Sequence, residues 1–183
     1  MGLLDAGTLV CRNAIGLDEK NAPIYNMLGL IFSKKGEVSQ AAAMFEKAVQ
    51  SDPNALDAHM NLGALTLGYK DFETAGEHFK RVLEKEPNNI QAKLGLSVAL
   101  AKMERTQEAI ATLQDLIKNM DLPEAHFNLC LVYQDNLGDY EKALTECERF
   151  LTIAGAQHPK AREVQLRIQG LKTMIDIKRG EQK

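Results

Sequence analysis

At 183 residues, with 45% hydrophobic and 26% charged side chains, the chain is long enough to bury an ordinary core, yet it has no tryptophan and only 5% aromatic residues. A large aromatic-lined active site is therefore not expected. The formal charge is -3, and because residues 159–183 hold seven Lys/Arg against three Asp/Glu, residues 1–158 carry about -7 and lack the basic stripe that a nucleic-acid surface needs to displace counterions.

The N-terminal stretch shows no targeting pattern. Residues 1–21 have no basic run before their apolar residues, no small residue before Cys11 of the kind a lipidated cysteine requires, and Ala6 where myristoylation needs Ser or Thr. As given the chain reads as soluble, cytoplasmic or periplasmic, without direct membrane insertion, any signal or anchor lying outside it. A helix is predicted over 3–17, where Leu3, Leu4, Leu9, Val10, Ile15 and Leu17 are spread over more than one face, as suits a helix with neighbours on several sides. Gly7, Cys11, Ala14 and Asp18 reappear 34 residues later as Ala41, Phe45, Ala48 and Asp52, so 3–21 reads as the second half of a repeating unit.

From Ala22 onward the repeat is explicit. Ala41, Ala75, Ala109 and Ala143 are spaced by 34 residues three times running. Around them recur Tyr25-x-x-Leu28-Gly29-x-x-Phe32 before Ala41, Phe45 and Pro53, then His59-x-x-Leu62-Gly63-x-x-Thr66 before Ala75, Phe79 and Pro87. The third unit is looser, with Leu96-Ser97, Leu100, Ala109, Leu113 and Asp121 in the proline place; the fourth keeps Leu129, Tyr133 and Ala143 but has Cys130 in the glycine slot and Cys147 in the phenylalanine slot. Small residues at Gly29 and Ala41, or Gly63 and Ala75, let two helices approach closely, and prolines 53 and 87 open the linkers. Helix pairs are predicted near 22–34 and 38–51, 56–68 and 72–85, 90–102 and 106–119, 123–136 and 140–154.

This pattern resembles the tetratricopeptide repeat family. The resemblance implies an all-α, right-handed superhelical solenoid of antiparallel helix pairs with a C-terminal capping helix. The expected division of a single domain is half-repeat 3–21, repeats 22–55, 56–89, 90–122 and 123–157, capping helix 158–178 and a disordered tail 179–183. The Leu-Gly frame steps 34, 34 and then 33 residues while the alanine frame holds 34, so the hairpin Gln134–Asp139 should bulge, read as neutral loop drift. The three cysteines lack C-x-x-C spacing, and an odd number cannot close a complete framework. Cys130 and Cys147 lie on paired helices and could meet, but each fills an ordinary packing slot, so a native disulfide is not expected. After His158-Pro159 comes a stripe of Val164, Ile168, Leu171 and Ile175 at helical spacing, with Leu166 and Ile177 off it.

No catalytic or metal constellation is present. His59 and His126 occupy the slot of Tyr25, and a histidine there is a packing residue; no H-E-x-x-H, G-x-S-x-G or P-loop pattern occurs, and no cofactor is implied. The chain is read as non-catalytic, with function on its surfaces. The resemblance implies a concave groove lined by the first helix of each pair, binding a peptide or amphipathic helix of another protein. Its candidate residues are Asn26, Met27, Leu30, Met60, Asn61, Ala64, Leu67, Leu94, Val98, Phe127, Asn128 and Leu131. Asn61 and Asn128 stand where family members hold a peptide backbone, and Met60 and Phe127 are the expected anchors. The lysines and arginine of a carboxylate clamp are missing, their places taken by Asn26, Leu30, Gln91 and Gly95. Alternative readings are self-association through Leu3, Leu4 and Val10, or a regulatory domain of a larger protein or enzyme. The D-P-N and E-P-N linkers suggest a bacterial protein, with an envelope or motility assembly as the expected setting.

Overall fold

The computed structural model describes residues 2–180, apart from the side chain of Asn119. Among them are ten helices and no strand: α1 (Leu3–Leu17), α2 (Ala22–Lys35), α3 (Val38–Ser51), α4 (Leu56–Gly68), α5 (Phe72–Lys85), α6 (Ile90–Lys102), α7 (Thr106–Asn119), α8 (Pro123–Asp135), α9 (Tyr140–Ala154) and α10 (Ala161–Gly180). They gather into two compact units that meet in sequence at Pro87 and Asn88. The boundary between them is the linker between the second and third pairs. Arg179 and Gly180 belong to α10, unlike the tail expected there, and residues 181–183 lie outside the described residues.

Local chemistry starts and stops these helices. The side chains of Asn21, Asp71, Asn89 and Asp139 accept from the backbone N–H three residues on, capping α2, α5, α6 and α9. Each first helix then ends in a turn whose left-handed residue recurs at Gly36, Lys70, Glu104 and Gly138. The turn closes with one backbone bond, from Glu37 to Phe32, Asp71 to Thr66, Arg105 to Leu100 and Asp139 to Tyr133, each 2.9 Å. The last spans one residue more than the others, which locates the expected bulge. It is more than loop drift: Asn136 in that turn donates to the carbonyl of Ala101 at 2.8 Å, tying α8 to the end of α6.

In the first unit, Phe45 is buried against Gly29, whose absent Cβ would lie 2.5 Å from the ring, and Phe79 meets Gly63 in the same way. Cys11, Leu28, Phe32, Ala41 and Leu62 complete that core. Helix α1 lies along α2 with Thr8 and Cys11 buried, while Leu3 and Leu17 remain 89% and 91% exposed. In the second unit Leu113, Leu129, Phe150 and Val164 are fully buried. Helix α10 packs on α9 through Ala161, Val164, Ile168, Leu171 and Ile175, and starts after, not at, His158.

The cysteine expectation is overturned. Cys130 and Cys147 are joined by a disulfide across α8 and α9, and only Cys11 is free. The glycine and phenylalanine slots face each other across the first two pairs, and cysteines in the same two slots of the last pair are within bonding reach.

Candidate protein-interaction surface

In the first unit the exposed side of the first helices is apolar with an amide seam. On α2, Met27 is 57% and Leu30 42% exposed; on α4, Ala64 is exposed and Met60 and Leu67 are half-buried. Asn61 donates its amide to the carbonyl of Asn26 at 2.8 Å, joining the two helices. Thus Asn61 is neither free in water nor wholly committed, since each amide has more donors and acceptors than this bond uses. A solvent-open recess is lined by Asn26, Met27 and Leu30 and flanked by Asp52, Asp57 and Glu86.

The second unit has its own apolar face on α6 and α8. Val98, Ala101, Asn128 and Leu131 line a small recess, with Lys102 and Asp135 at its edge. Leu94 is half-buried beside it on α6. Phe127 is a correction: it is 6% exposed, its ring 5.7 Å from that of Phe150, with Lys160 over it at 4.3 Å. It faces α9 and the turn before α10, one helical step round from Asn128, and so cannot serve as an exposed anchor.

Leu166, by contrast, lies off the core stripe of α10 and faces outward. Helix α10 follows α9 as the first helix of a further pair would, and Arg167 donates to Gln134 on α8 at 2.9 Å. Leu166 is 61% exposed in a recess with Gln134 and Asp135. The row Leu30, Ala64, Val98, Leu131 and Leu166 has steps of 34, 34, 33 and 35 residues, and this near-constant period was the available signal.

The buried histidines hold linkers. In the second unit His126 places Nδ1 2.6 Å from Glu146 and Nε2 2.6 Å from Asp121, and Arg149 pairs with the same Asp121. The hydrogen bond from His126, aided by Arg149, holds the Asp121 carboxyl below the usual carboxylate range. Asp121, which stands in the proline place of this linker, uses its side chain to close these contacts. In the first unit His59 takes the same slot, with Nε2 donating to the Pro53 carbonyl at 3.2 Å and Nδ1 2.9 Å from Nδ1 of His78. Among the described residues no cluster of three or more His, Cys, Asp or Glu could hold a metal ion, and no helix is long and apolar enough to cross a membrane.

The tetratricopeptide repeat family matches residues 26–90 and 66–129, which together run over more than half of the chain. The chain belongs to the tetratricopeptide repeat family. The crystal structure of YrrB, described as a TPR protein with an unusual peptide-binding site, superposes with a TM-score of 0.77 at 22% identity over 88% of this chain and 83% of that one. Uncharacterized protein ycf37 of Pyropia yezoensis is 37% identical over 37% of this tetratricopeptide chain and 38% of its own length. Type IV pilus assembly protein PilF of Pseudomonas aeruginosa is 26% identical over 55% of this chain and 40% of its own length. The chain therefore spans well under half the length of these curated relatives. Tetratricopeptide proteins are in general non-catalytic, and the fold and relatives support a protein–protein interaction module.

Proposed function

We propose that the first-helix faces bind an apolar or amphipathic segment, peptide or helix, of a partner protein within a bacterial multiprotein assembly. The observation that carries this reading is the apolar row in each unit beside an amide: Met27 and Leu30 with Asn26 and Asn61, and Val98, Leu131 and Leu166 with Asn128. Apolar side chains supply the contact energy, and the spare amide groups read the bound backbone. Asp52, Asp57 and Glu86 around the first recess favour Lys or Arg on the segment's polar edge. The likeness to a type IV pilus assembly protein supports the assembly setting.

Selection of amphipathic helical peptides on the full chain tests this. Selected peptides are expected to lose at least about tenfold in affinity to Leu30→Glu or Leu131→Glu, by analogy with central interface anchors, and nothing to Glu77→Leu on exposed α5 surface. Equal binding to all three variants would place the contact elsewhere.

A second reading is self-association through α1, favoured by the exposure of Leu3, Leu9 and Val10 beside a half-buried Leu4. Light scattering at high concentration distinguishes it. A dimer abolished by Val10→Glu supports self-association, and a monomer at all concentrations rejects it.

A further inference from the structure

The slot pair that brings two helices together is filled differently along the chain: Gly29 with Phe45 and Gly63 with Phe79 in the first two pairs, and Cys130 with Cys147 in the last. In the first two pairs a phenylalanine ring presses on bare backbone. Two cysteine side chains carry fewer atoms than a phenylalanine side chain opposite a glycine, so noncovalent packing alone would make fewer contacts in the last pair. Here the bond replaces the ring. The two Cα atoms are 5.4 Å apart and both residues are 0% exposed.

We propose that Cys130 and Cys147 are an oxidation site, closed during folding by thiol–disulfide exchange with a dithiol–disulfide carrier protein, and that the chain matures where such a carrier is kept oxidised. In the first step one cysteine thiolate attacks a sulfur of the carrier's disulfide, forming a mixed disulfide and releasing one carrier thiolate. The second thiolate then attacks the cysteine sulfur of that mixed disulfide, forming the Cys130–Cys147 bond and expelling the other carrier sulfur. Two electrons pass to the carrier, which picks up two protons and leaves as the dithiol. Because both sulfurs are sealed in the finished fold, exchange precedes the closure of α8 on α9, and the completed bond is out of reach of reductants. Disulfides of this structural kind persist in oxidising compartments and are rare in the cytosol of mesophiles. Cys11 takes no part: it is buried in the other unit, where burial pushes its thiol up.

The test uses the full chain, produced in an oxidising compartment, alkylated and weighed by mass spectrometry. Unfolded without reductant it should take up one alkyl group, at Cys11, and after reduction three. The native chain in dithiothreitol should keep its bond for hours. A chain reduced while unfolded and then refolded should melt about 6 to 12 °C lower than the oxidised one, as should C130S/C147S. C130G/C147F restores the pair of the first two repeats and should melt at one temperature with or without reductant. Alkylation of Cys130 and Cys147 in the unreduced chain, rapid reduction of the native chain, or melting of the reduced chain within about 1 °C of the oxidised one would overturn the proposal.

Discussion

Gly29 on α2 and Phe45 on α3 meet so closely that a Cβ on the glycine would lie 2.5 Å from Cε1 of the ring. Helical glycine is normally replaced by alanine with a gain of about 0.5–1 kcal/mol, because alanine loses less backbone freedom. At Gly29 overpacking outweighs that gain, and Gly29→Ala should destabilise by about 1–3 kcal/mol. Gly170 in α10 has nothing within 4 Å of its notional Cβ. There the same substitution should stabilise by about 0.5–1 kcal/mol. Chemical denaturation of both variants checks the opposite signs.

That contact also explains what could be read from sequence. The 34-residue period places the helices of the four pairs within one or two residues, and several of their ends are fixed locally, by the side-chain caps of Asn21, Asp71, Asn89 and Asp139 and by the left-handed turns at Gly36 and its equivalents. Period alone does not say which slots face each other. The glycine and phenylalanine slots were both visible, yet only their juxtaposition turns Cys130 and Cys147 into a bonded pair. Phe127 and Leu166 show the same limit: Phe127, one step from Asn128, is buried with its ring near that of Phe150, while Leu166, off the core stripe of α10, is exposed.

Lys70 and Glu104 occupy the left-handed turn position that glycine fills at Gly36 and Gly138, with φ of 64° and 60°. A side chain there crowds the following carbonyl, at a cost of roughly 1–2 kcal/mol. Glycine removes the crowding but enlarges the unfolded ensemble, so the net gain is smaller. Lys70→Gly and Glu104→Gly should each stabilise by about 0.5–1 kcal/mol. The sites lie in different compact units, so the double variant should show the sum. Urea midpoints that fall for either single variant would contradict the strain at that turn.

His78 provides the pH test. Burial chiefly, and then the charge of His59, hold its imidazole below the usual histidine range, while Glu77 and Asp71 pull the other way. Their Nδ1 atoms are 2.9 Å apart, so a proton on both would set two donors against each other. With the folded value of His78 depressed, the unfolded chain binds more protons, and stability rises with pH across the window. The contribution is complete above the unfolded value near 6.5 and is lost as pH falls from there through the lower folded value. Wild-type stability should therefore drop between pH 7.5 and 5, and His78→Gln, which keeps a donor but cannot titrate, should flatten part of that slope. Denaturation midpoints at three pH values for the wild type and His78→Gln decide it, and an unchanged slope in His78→Gln would show that the pair does not sense acid.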